Sequence, residues 1–221
     1  MGDFILSKAG RKLYRHDSNK GTVIEYTENG AAKKMVVLDT TYALQNVQWG
    51  NYNVNIPDIT NFTKFPFKNA NNVARKTLLD DSNMDASAYE ELTDEALDNM
   101  MVWHDDHTST QNTATMYAAE NDDSEIAHKI QSIEIDGKKA VIPNVHALIR
   151  IFVERENFAK LDPVSDSSAT MWREWKFGDW NSVWTSNESW DTHAWILRRD
   201  GVLLCTDRDN TYCGVIPIIE L

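Results

Sequence analysis

Apolar and polar positions follow short strand-like runs at the start of the chain. In GTVIEYTENGAAKKMVVLD (residues 21–39) two apolar runs flank Asn29-Gly30, the dipeptide that suits a tight turn with positive φ, so a hairpin is expected. Residues 1–38 as a whole read as short strands joined by turns. WGNYNVNIPDITNF (residues 49–62) is polar, aromatic and Asn-rich, and reads as loop with a short strand. Helical spacing begins later: Tyr89, Leu92, Ala96 and Met100 predict a helix near 86–101. TQNTATMYAAEN predicts a second, shorter one, and Ser124 is placed to cap a third with Ile126 and Ile130 on one face. Asp136-Gly137 predicts another tight hairpin within residues 133–143.

The clearest helix follows. Asn144 is placed to cap it, and Val145, Leu148, Ile149, Phe152 and Val153 form one apolar stripe. Arg150, Glu154, Arg155 and Glu156 fall mostly off that stripe. From about Met171 onward the pattern is strand and loop, with alternation in HAWILRRDGVLLCT and YCGVIPIIEL. Helices followed by a terminal β-meander argue for an α+β fold. No internal repeat or low-complexity linker is present.

Composition narrows the function classes. The 221 residues are 42% hydrophobic and 25% charged, an ordinary globular balance. The net charge of -12 makes nucleic acid an unsuitable partner, because phosphate binding needs a basic face. The acidity is uneven: residues 77–128 hold fourteen Asp and Glu and no Lys or Arg, whereas residues 1–76 carry a balance of +5. The acidic middle reads as a solvated face or as a docking surface for a basic partner. No secretory signal is expected in MGDFILSKAGRKLY, no myristoylation motif (Leu6 stands where Ser or Thr is required), and no run reaches the roughly 18 apolar residues of a membrane span.

Three separated pieces carry a resemblance: QNTATMYAAENDDSEIAHKI, AVIPNVHALIRIF, and VWTSNESWDTHAWILRRDGVLLCTDRDNTYCGVIPIIEL with its Trp-x-Ser, Ala-Trp, Asp-Gly and Gly-Val-x-Pro order. Together they resemble the C-type-lectin-like domains related to the formylglycine-generating enzyme, as found in proteins of bacteroidal bacteria and their phages and in retroelement-diversified variable proteins. The motif-bearing part covers about residues 108–221. The resemblance implies a C-type-lectin-like fold: a twisted antiparallel sheet, two main helices and long irregular loops. It places that domain at residues 39–221, behind an N-terminal strand-rich segment, 1–38, that could dock or assemble the protein. It makes Trp184, Ala194 and Trp195 fold-holding positions, so Trp184 and Trp195 are expected in the core. Gly201 and Gly214 fit tight turns, and Pro217 suggests an edge strand or a bulge.

Catalysis finds little support. Cys205 and Cys213 flank the polar loop DRDNT of an expected hairpin, roughly opposite each other; they read as two buried thiols, as a cross-strand disulfide, or, least favoured, as catalytic. They do not recreate the copper-binding pair of the parent enzyme. His104, Asp105, Asp106 and His107 are too contiguous to converge on one ion. Trp180-Asn181-Ser182 is similar to the calcium motif of true lectins, but Ser182 replaces the carboxylate. No cofactor, metal or enzyme activity is therefore expected.

Binding is the better-supported expectation. Six of the eight tryptophans lie between Trp172 and Trp195, and of Trp172, Trp175 and Trp190 at least one is expected at the surface. The ligand face implied by the resemblance comprises Asn187, Trp190, Asp191, His193, Arg198, Asp207, Asp209, Asn210 and Tyr212. The expected protein is a non-enzymatic phage virion component, a fibre tip or decoration protein, that binds a host-surface glycan or protein receptor. Its other partners would be virion proteins and further copies of itself, with no membrane insertion. A purely architectural virion protein and a formylglycine-generating type of enzyme are the alternatives.

Overall fold

A computed structural model describes residues 4–50, 75–77, 86–100, 108–119, 126–190 and 192–221, with the backbone alone for 75–77, 86–88 and Trp190. The chain opens with four strands, β1 (Phe4–Leu6), β2 (Lys12–Arg15), β3 (Gly21–Glu28) and β4 (Ala31–Leu38), and a short β5 (Arg75–Thr77) follows. The middle is helical: α1 (Asp94–Met100), α2 (Ser109–Ala119) and α3 (Ile126–Gln131). The small hairpin β6 (Glu134–Ile135) and β7 (Lys138–Lys139) separates these from α4 (Val145–Val153), α5 (Arg155–Leu161) and α6 (Asp166–Glu174). The end is β8 (Ser182–Trp190), β9 (His193–Arg198), β10 (Val202–Asp207) and β11 (Ile218–Glu220).

The fold is α+β, built on two antiparallel sheets. One has the order β1-β2-β3-β4-β11, the other β5-β10-β9-β8. The first and last parts of the chain therefore share a sheet: Ile218 pairs with Val37, and Leu38 N donates to Pro217 O at 3.1 Å. Residues 38 and 39 mark no break in packing, because Leu13, Ile24 and Val37 lie in one apolar cluster with Leu148, Phe152 and Ile218. Pro217 sits just ahead of an edge strand, where its missing N–H costs no ladder bond. Among the described residues no helix is long and apolar enough to cross a membrane.

Local chemistry forms several elements as the pattern predicts. Asn29 (φ 49°) and Gly30 (φ 76°) make the β3–β4 turn, and Asp136 (φ 54°) and Gly137 (φ 77°) make the β6–β7 turn. Asn144 caps α4, accepting from Ala147 N at 2.8 Å. Other expectations are corrected. The helix near 86–101 is split into a 3-10 turn (Ala86–Glu91) and α1. Helices α5 and α6 fill a stretch that periodicity left unassigned, and α6 runs past Met171 to Glu174. The proposed cap Ser124 lies outside the described residues. In place of two main helices, the described residues form six α-helices.

Three of the four charges expected off the stripe lie in the core, and Glu156 alone stays partly exposed. Arg150 is fully buried, as are Glu154 and Arg155 nearly so. Arg150 Nε and Arg11 Nε both donate to Asp94 Oδ1, at 3.0 and 2.8 Å. Arg11 also donates to Glu154 at 3.1 Å and to Leu92 O at 2.9 Å, while Arg150 reaches Asp98 at 3.2 Å and Thr27 O at 2.9 Å. The Tyr26 ring lies 5.0 Å from the Arg150 guanidinium carbon, a cation–π contact. Two guanidiniums are thus desolvated but satisfied by carboxylates and carbonyls from β3, α1, the turn before α1 and the α4–α5 junction.

A second buried polar knot joins the three sequence pieces noted above. Asn112 of α2 donates to Ser186 Oγ at 3.2 Å, Thr113 Oγ1 accepts from Ile142 N at 2.9 Å, and Ser186 N donates to Pro143 O at 2.8 Å. Truncating Arg150 should take one buried guanidinium from both Asp94 and Asp98, leaving Asp94 with Arg11. Arg150→Ala is expected to cost about 3–5 kcal/mol. Arg173→Ala, which loses only an exposed pair with Glu156, should cost under about 1 kcal/mol. Urea unfolding of both variants against the wild type checks the difference.

Candidate functional site

Two large aromatic side chains stand out of this framework side by side. Trp180 and Tyr212 are each 47% exposed, and their rings stack with centroids 5.0 Å apart and planes 27° apart. Trp180 belongs to the turn between α6 and β8, Tyr212 to the segment after β10. Backbone pairing brings the two together: Trp180 N donates to Tyr212 O at 3.0 Å. Gly178 permits that approach. It has φ 74°, and a Cβ there would overlap Tyr212 O and the Cys213 backbone.

A third loop braces the pair. Asp179 N donates to Asn46 Oδ1 at 2.8 Å, Asn46 Nδ2 returns a bond to Asp179 at 3.2 Å, and Gly178 N donates to Gln45 at 2.6 Å. Asn46 and Asn181 both hold positive φ, which short amide side chains tolerate better than most. Asn210 closes an Asx turn by accepting from Tyr212 N at 2.8 Å. Below lies a rigid floor: Phe177, Trp184 and Cys213 are completely buried. Trp184 Nε1 donates to Val47 O at 2.8 Å and Trp49 Nε1 to Thr185 O at 2.6 Å, so both indoles tie the 44–50 loop to β8. The result is an exposed, preorganised aromatic surface with amides and carboxylates at its margin.

The expected ligand residues divide. Asn210, half-buried, and Tyr212, exposed, belong to this surface, and Asp209 is exposed in the turn just before them. His193 and Asp207 face each other across β9 and β10, with Nε2 and Oδ1 3.1 Å apart, and Thr192 Oγ1 lies 2.7 Å from His193 Nδ1. Arg198 sits at the opposite end of β9, paired with Asp200 at 2.9 Å across the turn, so it is not grouped with them. Asn187 is not a surface residue. It is 1% exposed, and its Oδ1 accepts from Val145 N at 2.8 Å, giving α4 a second cap from β8. The Trp190 side chain, Asp191 and the cluster from His104 to His107 lie outside the described residues.

The tryptophans divide as well, with the Trp190 side chain outside the described residues. Trp172 and Trp175 are buried, with indole N–H groups donating to Asp162 and to Leu197 O, both at 3.0 Å. Trp184 and Trp195 are core, as expected. Among the described side chains the exposed indole is Trp180, which the sequence pattern places only within a calcium-like motif. The signal was local: Gly178-Asp179-Trp180-Asn181 is a turn sequence, and a tryptophan inside a turn has little core to enter. Ser182 of that motif is buried and donates to Trp180 O at 3.1 Å. Among the described residues no three His, Cys, Asp or Glu side chains gather as a metal site.

The cysteines do not face each other. Cys205 pairs with Trp195 across β10 and β9 and packs against one apolar cluster, whereas Cys213 lies in the other. The chain after the 207–211 loop parts from β9 and β10: Gly214 bridges to Val183 of β8, and Val215 to Leu44. Gly214 therefore serves a close backbone approach, since a Cβ would stand 2.8 Å from Leu44 O. No disulfide joins the two cysteines. Compared with known proteins, the chain matches no protein-family model, no curated protein and no solved structure.

Burial pushes the Cys213 thiol up to about 12. An unfolded chain ionises this thiol near pH 8.5, so above that pH the unfolded state holds one proton fewer than the folded state. The thiol's contribution is complete below that value and is lost as pH rises toward the folded one, by about 1.4 kcal/mol per pH unit. Urea unfolding at pH 8, 9 and 10 should show a shallower loss of stability in Cys213→Ala than in the wild type.

Proposed function

We propose that this protein is a non-enzymatic recognition module of a bacteriophage particle, which binds saccharide on a host surface through the Trp180–Tyr212 surface. One observation carries the reading: two stacked, half-exposed aromatic rings held by three braced loops over a buried floor. Aromatic faces carry partial negative charge and pack against the polarised C–H groups of a sugar ring, while the flanking Asn and Asp groups suit hydroxyls. Rigid aromatics with adaptable polar neighbours are the composition of recognition surfaces in general.

The C-type-lectin-like assignment and the phage setting rest on the three-piece sequence resemblance. The α+β architecture is compatible with them, and the buried knot of Asn112, Thr113, Ser186 and Pro143 gives the three pieces a shared structural role. Burial of Cys213, with its thiol held protonated at neutral pH, weighs against a formylglycine-generating type of enzyme. One feature favours the architectural alternative. Phe4 and Leu6, 55% and 68% exposed, lie on edge strand β1, where a second chain could add to the sheet.

A glycan array and a host-cell binding assay test the proposal. Trp180→Ala and Tyr212→Ala should each weaken binding roughly tenfold or more while leaving urea unfolding close to wild type. A wild-type chain that binds no glycan and no cell, yet self-associates through β1, would turn the reading to the architectural role.

A further inference from the structure

A concave site lies away from the aromatic pair, where α2, α3 and β7 meet. It is a cavity of about 440 Å³, lined by Tyr117, His128, Lys129, Gln131, Ser132 and Lys139. That volume falls within the roughly 300–1,000 Å³ of small-molecule sites. Tyr117 is 41% exposed and stacks on His128, with centroids 4.1 Å apart and planes 29° apart. Lys139 Nζ stands 6.0 Å from the Tyr117 ring centre.

The charge of this wall runs against the rest of the chain. The protein carries -12, yet among the described lining residues none is acidic, and Lys129 and Lys139 converge there. Helix-end electrostatics explains part of it, since His128 and Lys129 occupy the last turn of α3, at the negative end of its dipole. It does not explain Lys139, which arrives from a different element and has only exposed Glu134 opposite it in the β6–β7 register. Nor does it explain an exposed tyrosine stacked at the same place. The Ser132 hydroxyl already donates to Lys129 O at 2.6 Å, so it faces a ligand as an acceptor, and the Gln131 amide can both donate and accept.

We infer that this cavity binds an anionic saccharide: a sugar ring against Tyr117, hydroxyls on Gln131 and Ser132, and a carboxylate or phosphate on Lys129 and Lys139. The site stands apart from the Trp180–Tyr212 surface and does not depend on the function proposed for it. Calorimetric titration of the full chain with glucuronic acid, glucose 6-phosphate and glucose tests the inference. At least one of the two acids should bind, and which one does identifies the anionic group. Glucose should bind roughly tenfold more weakly, and Lys139→Gln and Tyr117→Ala should each lower the acid's affinity by a similar factor. Both residues are exposed, so unfolding curves should stay at wild type, and Trp180→Ala should leave the acid's affinity unchanged. Equal binding of glucose, no binding of either acid, undiminished binding in folded Lys139→Gln, or loss in Trp180→Ala would each overturn it.

Discussion

Asp94, between two buried arginines, is the constraint from which the rest of the fold takes its positions. Arg11 enters from the loop ahead of β2, Arg150 from α4, and both guanidiniums close on one carboxylate oxygen. A guanidinium cannot shed its charge to escape a dry interior, so each must be met by acceptors in fixed directions. Meeting them locks α4 against the first sheet and against α1, whose Asp94 and Asp98 also accept from Thr27 N and Asn29 N. The stability of this arrangement lies less in the net strength of the pairs than in the cost of leaving any one unmet.

Position then passes from α4 to the exposed surface through short steps. Asn187 fixes the first turn of α4 to β8. The indoles of Trp184 and Trp49 fix β8 to the 44–50 loop. That loop holds Gly178 and Asp179 through Gln45 and Asn46. The exposed rings of Trp180 and Tyr212 are the outer end of this chain of contacts. On the proposed function, a surface so braced has little ordering left to do on binding, which is where a shallow site gains affinity. The same bracing explains why tryptophans gather here: among the described side chains most are fasteners, and Trp180 is displayed.

Local signals were legible in the sequence, and long-range ones were not. Asn29-Gly30, Asp136-Gly137 and the Asn144 cap act within a few residues, and all three stand as read. Arg150 shows the limit. On helical spacing it falls beside the apolar stripe, and only the distant Asp94 and Asp98 make its burial tolerable. Helix α6 was hidden because its first turn, Asp166-Ser167-Ser168, is polar and its cap Ser165 precedes no apolar run. Of the residues that the resemblance offered as a ligand face, Tyr212 and Asn210 lie at the surface in a polar turn. Asn187, from equally polar surroundings, was drawn inward by the unmet N–H groups of α4. Trp180 and Trp175 differ in exposure because one lies in a turn and the other caps α6 with its indole bonded to Leu197 O.

The most direct test of the central claim is an indole N–H NMR titration of the full chain with a panel of host-surface oligosaccharides. The account predicts that the Trp180 resonance moves on binding while those of the buried Trp49, Trp172, Trp175, Trp184 and Trp195 hold still. Saccharide binding that leaves the Trp180 resonance unmoved would contradict it.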